Sequence, residues 1–119
     1  MRNLLVLRAS NNMINGTLIE EWGTGAAFPQ LTTLDLSNNA LTGGLPLLWT
    51  NPKAVQYLQE LYLSNNTLKG GLPPGYGLPN VMTSLRYLTL GGNPLGGGIP
   101  LEWAQPQGFP GLRSLYVLR

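Results

Sequence analysis

Two carboxylates, Asp35 and Glu60, and three tyrosines, Tyr62, Tyr87 and Tyr116, with Arg86 and Arg113 beside the last two, are the side chains of this chain whose chemistry packing alone does not explain. Two carboxyl groups held about 8 Å apart are the arrangement with which an inverting glycosidase lodges a water between base and acid. Aromatic rings beside guanidinium groups are, by contrast, the residue types enriched in the hot spots of binding interfaces. What the surrounding chain can build decides between them. The sequence contains no Cys and no His, which removes disulfides, thiolate zinc sites and Cys nucleophiles together. The runs "GGNPLGGG" (91–98) and "GTGAA" (23–27) have the composition of phosphate-cradling loops, but neither leads into a helix with a suitable lysine. No catalytic residue, metal or cofactor is expected.

Composition narrows the partners. Of the 119 residues, 43% are hydrophobic, enough for a core, and 10% are charged. The net charge of +2 contains no run of like charges, so nothing tracks a phosphate backbone and nucleic acid is not an expected partner. The apolar run at 4–7 is too short for a signal-peptide core, and no stretch approaches the roughly 20 apolar residues of a membrane span. No direct membrane contact is expected, and any address or anchor is expected to lie outside this stretch. Two N-glycosylation triplets, Asn15-Gly16-Thr17 and Asn65-Asn66-Thr67, are compatible with secretion.

The elements that would position these residues are repeated. Leu4, Leu31, Leu58, Leu85 and Leu112 are spaced at a constant 27 residues. Each is followed three residues on by leucine (Leu7, Leu34, Leu61, Leu88, Leu115) and five on by Ala9, Leu36, Leu63, Leu90 or Val117, a period-2 pattern that predicts a short strand with one buried face. Asparagine follows at Asn12, Asn39, Asn66 and Asn93, then an apolar residue, then Gly16, Gly43, Gly70 and Gly97, then Leu18, Leu45, Leu72 and Ile99. Pro46, Pro73 and Pro100 come next, with Ile19 in the first copy. The repeats run 4–30, 31–57, 58–84 and 85–111, with a partial copy at 112–119, and neither end carries a capping repeat.

The pattern LxxLxLxxNxLxGx(L/I)P resembles the leucine-rich repeat, in the class typical of plant receptor ectodomains and secreted plant inhibitors. Two features depart from that class: the repeat is three residues longer than the usual 24, and Trp22, Trp49, Tyr76 and Trp103 stand where leucine is usual. An aromatic there is similar to repeats of green-algal and kinetoplastid surface proteins. The resemblance implies an α/β-type solenoid, a horseshoe segment with a short-stranded parallel sheet on the concave face and a mostly irregular or 3-10 convex side. It also implies an extracellular or cell-surface protein.

Physical roles follow for the columns. One repeat cannot bury its apolar stripe alone, so stacked copies share a core. Asn12, Asn39, Asn66 and Asn93 are expected to turn inward and satisfy backbone groups of the adjacent turn, leaving the neighbouring Asn38 with little to do. The aromatic column is expected to pack on the convex side with its polar edge near solvent, and Phe28, Val55, Met82 and Phe109 to close each repeat. Positions two and four after each start leucine face the concave surface, and they vary: Val6 and Arg8, Thr33 and Asp35, Glu60 and Tyr62, Tyr87 and Thr89, Ser114 and Tyr116. A varying face on a fixed scaffold fits a noncatalytic recognition module for a protein, peptide or glycan, part of a larger receptor or surface protein. The competing reading is a structural spacer or cell-wall scaffold with no specific ligand. Without caps, the isolated segment is expected to self-associate end to end.

Overall fold

The computed structural model describes residues 3–18, 29–106 and 108–116. Trp22, Phe28, Ile19, Val117 and the "GTGAA" run lie outside the described residues. Within them the short strands stand where the leucine spacing puts them: β1 (Val6–Arg8), β3 (Thr33–Asp35), β5 (Glu60–Tyr62), β6 (Tyr87–Thr89) and β7 (Ser114–Tyr116). They form one parallel sheet in chain order. Its register follows the 27-residue period without a slip, Leu7 opposite Leu34, Leu34 opposite Leu61, Leu61 opposite Leu88 and Leu88 opposite Leu115. The chain is therefore a right-to-the-letter stack of coils, an α/β-type solenoid of leucine-rich repeat form. Leu34, Leu61 and Leu88, with Leu36, Leu63 and Leu90, are buried in one continuous core.

A second, two-stranded parallel sheet, which the leucine pattern does not announce, pairs β2 (Asn15–Thr17) with β4 (Ala40–Thr42) just beyond the asparagine turn. Asn12 and Asn39 sit between the two sheets, and Asn66 and Asn93 occupy the same turn of the later coils. Asn39 Nδ2 donates to the carbonyls of Ala9, Leu36 and Ser37, while its Oδ1 accepts from the backbone N–H groups of Asn12 and Ile14. Asn66 repeats this on Leu36, Leu63, Ser64 and the Leu41 N–H, and Asn93 on Leu63, Leu90, Gly91 and the N–H groups of Asn66 and Leu68. Each side chain thus ties its own turn to the preceding coil, pairing peptide groups that lack a sheet partner at the corner. The Asn12 side chain, with no described coil before it, donates within its own turn, to the Ala9 and Ser10 carbonyls.

The residue before each inward asparagine has work of its own. Asn11, Asn38 and Asn65 have φ of 59°, 59° and 60°, and Gly92, in the same column, has 75°. This is left-handed backbone, which asparagine and glycine enter at least cost. Asn65 Nδ2 also donates to Asn38 Oδ1 at 2.9 Å. Asn38 is therefore not idle, as the sequence suggested: it forms the corner that turns Asn39 inward.

On the convex side Pro46, Pro73 and Pro100, with φ between −62° and −66°, lead into 3-10 turns at Leu47–Thr50, Pro74–Gly77 and Leu101–Ala104. Trp49, Tyr76 and Trp103 are buried there. Their polar edges are not near solvent, contrary to expectation. Tyr76 Oη donates to the Pro46 carbonyl and Trp103 Nε1 to the Pro73 carbonyl, each reaching into the preceding repeat. A proline that opens a turn presents its carbonyl to the next coil, and the buried ring that covers it satisfies it. Tyr76 and Trp103 stack at 6.4 Å, and Phe109 meets Trp103 edge-on at 5.1 Å. The closing residues Val55, Met82 and Phe109 are themselves left-handed, at φ 42°, 49° and 46°. Their bulk is retained because Met82 and Phe109 are core residues and Val55 packs against the core.

Candidate ligand-binding face

The concave surface is built from the outward residues of five strands. In register, the first row reads Val6, Thr33, Glu60, Tyr87, Ser114, and the second Arg8, Asp35, Tyr62, Thr89, Tyr116. Tyr62 and Tyr116 flank Thr89, with Tyr87 in the other row of the middle strand, so the three rings neighbour one another at a strand spacing of about 4.8 Å. Thr33 is the exception to the outward reading: between Val6 and Glu60 it is 4% exposed and offers a partner almost nothing.

Asp35 and Glu60 are both engaged inside the chain. Asp35 Oδ2 lies 3.9 Å from an Arg8 guanidinium nitrogen, and Oδ1 accepts from the Ser37 N–H. Glu60 Oε1 accepts a 2.6 Å hydrogen bond from the Tyr62 hydroxyl. Partial burial, with the Glu60 hydrogen bond and charge behind it, pushes the Tyr62 phenol up to about 12. The register sets Glu60 beside Thr33 and Asp35 beside Tyr62, so each carboxylate faces its own partner rather than the other. An acid–base pair for glycoside hydrolysis needs both groups turned to a shared water. Among the described residues no cluster of acidic side chains could hold a metal ion, and no helix is long and apolar enough to cross a membrane.

Arg86 and Arg113 do not stand on the strands among the tyrosines. They occupy the column just before them: the N–H of Thr32 bonds Leu5, Gln59 bonds Thr32, Arg86 bonds Gln59 and Arg113 bonds Arg86. Both arginines are exposed, and among the described residues neither forms an ion pair. They continue a flank whose first part lines a groove of about 330 Å³, bounded by Leu5, Gln30, Thr32, Tyr57, Gln59 and Ser84. Sequence reasoning passed over that groove. Its signal was the pair of unrepeated columns on either side of the start leucine, which the leucine pattern does not cover.

A family model, Leucine Rich Repeat, matches residues 30–52, 57–77 and 84–105, more than half of the chain. The chain belongs to the leucine-rich repeat family. No curated protein matches it in sequence. Among solved structures, this leucine-rich repeat segment is similar to the plant peptide hormone receptor RGFR1 in complex with RGF2, at 30% identity and a TM-score of 0.83, over 99% of this chain and 17% of that one. It is also similar to the BIR3–SERK2 complex from Arabidopsis thaliana, at 33% identity and TM-score 0.72, over 99% and 58%. The BIR2 ectodomain from the same plant matches at 30% identity and TM-score 0.74, over 96% and 57%. The segment thus spans less than two thirds of the length of each of these relatives. The neighbours support a plant-type leucine-rich repeat protein.

Proposed function

We propose that the segment is a noncatalytic recognition module of an extracellular or cell-surface leucine-rich repeat protein, binding a protein or peptide through the concave face. The observation that carries the reading is the tyrosine group on adjacent strands, Tyr62, Tyr87 and Tyr116, with the last two exposed by 37% and 63%. A tyrosine offers a rigid apolar face with a hydrogen-bonding edge at little conformational cost. Arg86 and Arg113 at the rim add exposed positive charge for an acidic group on the ligand. Asp35 and Glu60, already partnered, shape this face more than they contact a guest. That two similar structures are complexes, one of them of a peptide hormone receptor, supports a protein or peptide in preference to a glycan. The internal pairing of Arg8 with Asp35 and Glu60 with Tyr62 is what a spacer would also show, and it keeps that second reading in play for the first three strands.

The deciding experiment is a Tyr87→Ala, Tyr116→Ala double variant of the full-length protein. Stability should stay within about 1 kcal/mol, because both rings are exposed. Affinity for the partner that the full-length protein captures should fall by about 2 kcal/mol or more. Unchanged capture would leave the spacer reading standing. Self-association of the isolated segment belongs to the same proposal: Leu7, Ala9, Ile14, Leu18, Leu36 and Leu41, with Asn15 and Thr17, line a mostly apolar cavity of about 320 Å³ between the first and second repeats. Sedimentation of the 119-residue segment as a stable monomer at tens of micromolar, a rough concentration for pairing of exposed apolar surface, would remove it.

A further inference from the structure

The two glycosylation triplets are equivalent in sequence and unlike in structure. Asn15 stands on β2, and its counterparts one repeat at a time, Thr42, Lys69 and Gly96, are all exposed. Ala40, its partner in register, is exposed as well, although β4 lies in an interior repeat. The exposure of Asn15 therefore belongs to the column, which stays exposed in coils that have another stacked before them, although Thr42 there donates to the Gly16 carbonyl and Asn15 itself borders a cavity. Thr17, two residues along the strand and so on the same side, is also exposed.

Asn65 is exposed too, but its side chain is already used. It occupies the left-handed corner at φ 60°, and its Nδ2 donates to Asn38 Oδ1 at 2.9 Å. Its Oδ1 lies so close over Gly92 that any Cβ at that position would collide with it. Thr67, the third residue of its triplet, donates its hydroxyl to the Leu41 carbonyl at 2.6 Å. A sugar on Nδ2 has to share this corner with Asn38 on one side and Gly92 on the other, and it turns the carboxamide out of its place. The corner is what aims Asn66 at Leu36, Leu63 and Leu41, so the disturbance reaches a buried network.

We propose that the folded protein carries an N-linked glycan at Asn15 and none at Asn65. This rests on the extracellular location proposed above. In the transfer, Asn15 Nδ2 displaces the lipid diphosphate of a lipid-linked oligosaccharide from the anomeric carbon of its N-acetylglucosamine. The new N–C bond replaces the C–O bond, and the proton lost from Nδ2 leaves with the diphosphate. Transfer reaches the chain before it folds, so the fold acts by selection: a chain modified at Asn65 meets the crowded corner afterwards, whereas one modified at Asn15 gains a bulky, solubilising group on open surface. β2 lies beyond the C-terminal ends of the concave strands, and the Arg86–Arg113 column lies before their N-terminal ends, so the glycan leaves the proposed binding face uncovered.

The test is secretion of the whole chain from a eukaryotic host behind an added leader, with glycopeptide mass spectrometry on the secreted and cell-retained fractions. Asn15 should be occupied in the secreted protein, with Asn65 at least about tenfold less occupied, the ratio set by loss of one hydrogen bond and a strained corner. Asn15→Gln should remove the mass shift that glycosidase treatment reveals, and Asn65→Gly, which copies Gly92, should leave it. Asn65 occupied in the secreted fraction as fully as in the retained one, or an empty Asn15 in secreted protein, overturns the proposal. If little is secreted, enrichment of Asn65 glycan in the retained fraction over the secreted one supports it, and equal proportions overturn it. Because the leader is supplied, failure here reports on the fold's choice between the triplets. Failure of the location reading is seen separately, in where the tagged native full-length protein resides.

Discussion

Replacing Asn66 by alanine tests the asparagine network where it is deepest. Asn66 is 5% exposed. Its loss leaves the Leu41 N–H, in a buried residue, without the Oδ1 that accepts from it at 3.1 Å, a penalty of about 1 to 3 kcal/mol. The three carbonyls it serves fare better: Leu36 keeps Asn39 Nδ2, Leu63 keeps Asn93 Nδ2 and Ser64 keeps the Asn38 N–H. Each shared bond then contributes nearer the lower limit, about 0.5 kcal/mol, so the total comes to about 3 kcal/mol. Urea denaturation should show this as a lower midpoint at unchanged slope. Amide exchange at Leu41 should quicken beyond what the global loss explains. Asn66→Asp sharpens the test, since it retains the acceptor for Leu41 but sets a second oxygen against the Leu36 and Leu63 carbonyls; it should be at least as destabilising as alanine. A loss below about 1 kcal/mol for alanine, or an aspartate variant as stable as the parent, would refute the reasoning.

The neighbouring column gives a contrast: Asn38→Ala should cost about 1 kcal/mol through its left-handed backbone, and Asn38→Gly roughly half of that or less, read by the same denaturation. Gly77→Ala should destabilise by about 1 to 3 kcal/mol, because an added Cβ would come 2.7 Å from the Glu102 carbonyl oxygen and 2.8 Å from Trp103 Cα, backbone that has nowhere to move. Trp103→Phe should cost about 0.5 to 1.5 kcal/mol for the lost indole N–H bond, since the Pro73 carbonyl keeps the Tyr76 N–H; denaturation reads it. Tyr62 should ionise near pH 12 in an ultraviolet titration, and Glu60→Gln should bring it down. The folded pKa is raised above the ordinary 10.0, so the associated stability is whole below pH 10 and is lost as pH rises through about 12. A Tyr62 that titrates at 10.0 would contradict the Glu60 bond.

The fold could be read from spacing because the period never changes. With a constant 27 residues from Leu4 to Leu112, strand register has no freedom: a one-residue slip would turn every leucine outward. What spacing does not carry is backbone sign. Asn11, Asn38 and Asn65 look like the polar approach to the inward asparagine, yet Gly92 in the same column marks a left-handed corner, since asparagine and glycine interchange there for that reason alone. Val55, Met82 and Phe109 hide the same feature completely, because apolar side chains in left-handed backbone are held by burial and leave no turn residue to notice. The second sheet escaped for a related reason: Asn15–Thr17 and Ala40–Thr42 are three residues long, with no alternating pattern of sufficient length.

At the concave face, strand alternation predicts the rows, and the folded side chains decide the partners. Tyr62, Tyr87 and Tyr116 fall where strand alternation puts them, since that follows from register. Which groups remain available to a ligand is a question of side-chain reach, and period-2 reasoning is silent on it. Glu60 and Tyr62 are two residues apart on one strand face, and the structure pairs them. Arg8 and Asp35 are directly opposite on adjacent strands and are paired as well. Those two pairings settle the charges of the first three strands internally. The exposed phenols of Tyr87 and Tyr116 and the exposed guanidinium groups of Arg86 and Arg113 are left together at the later coils, so a ligand for this face has most to gain there by bringing an apolar side chain next to an acidic one.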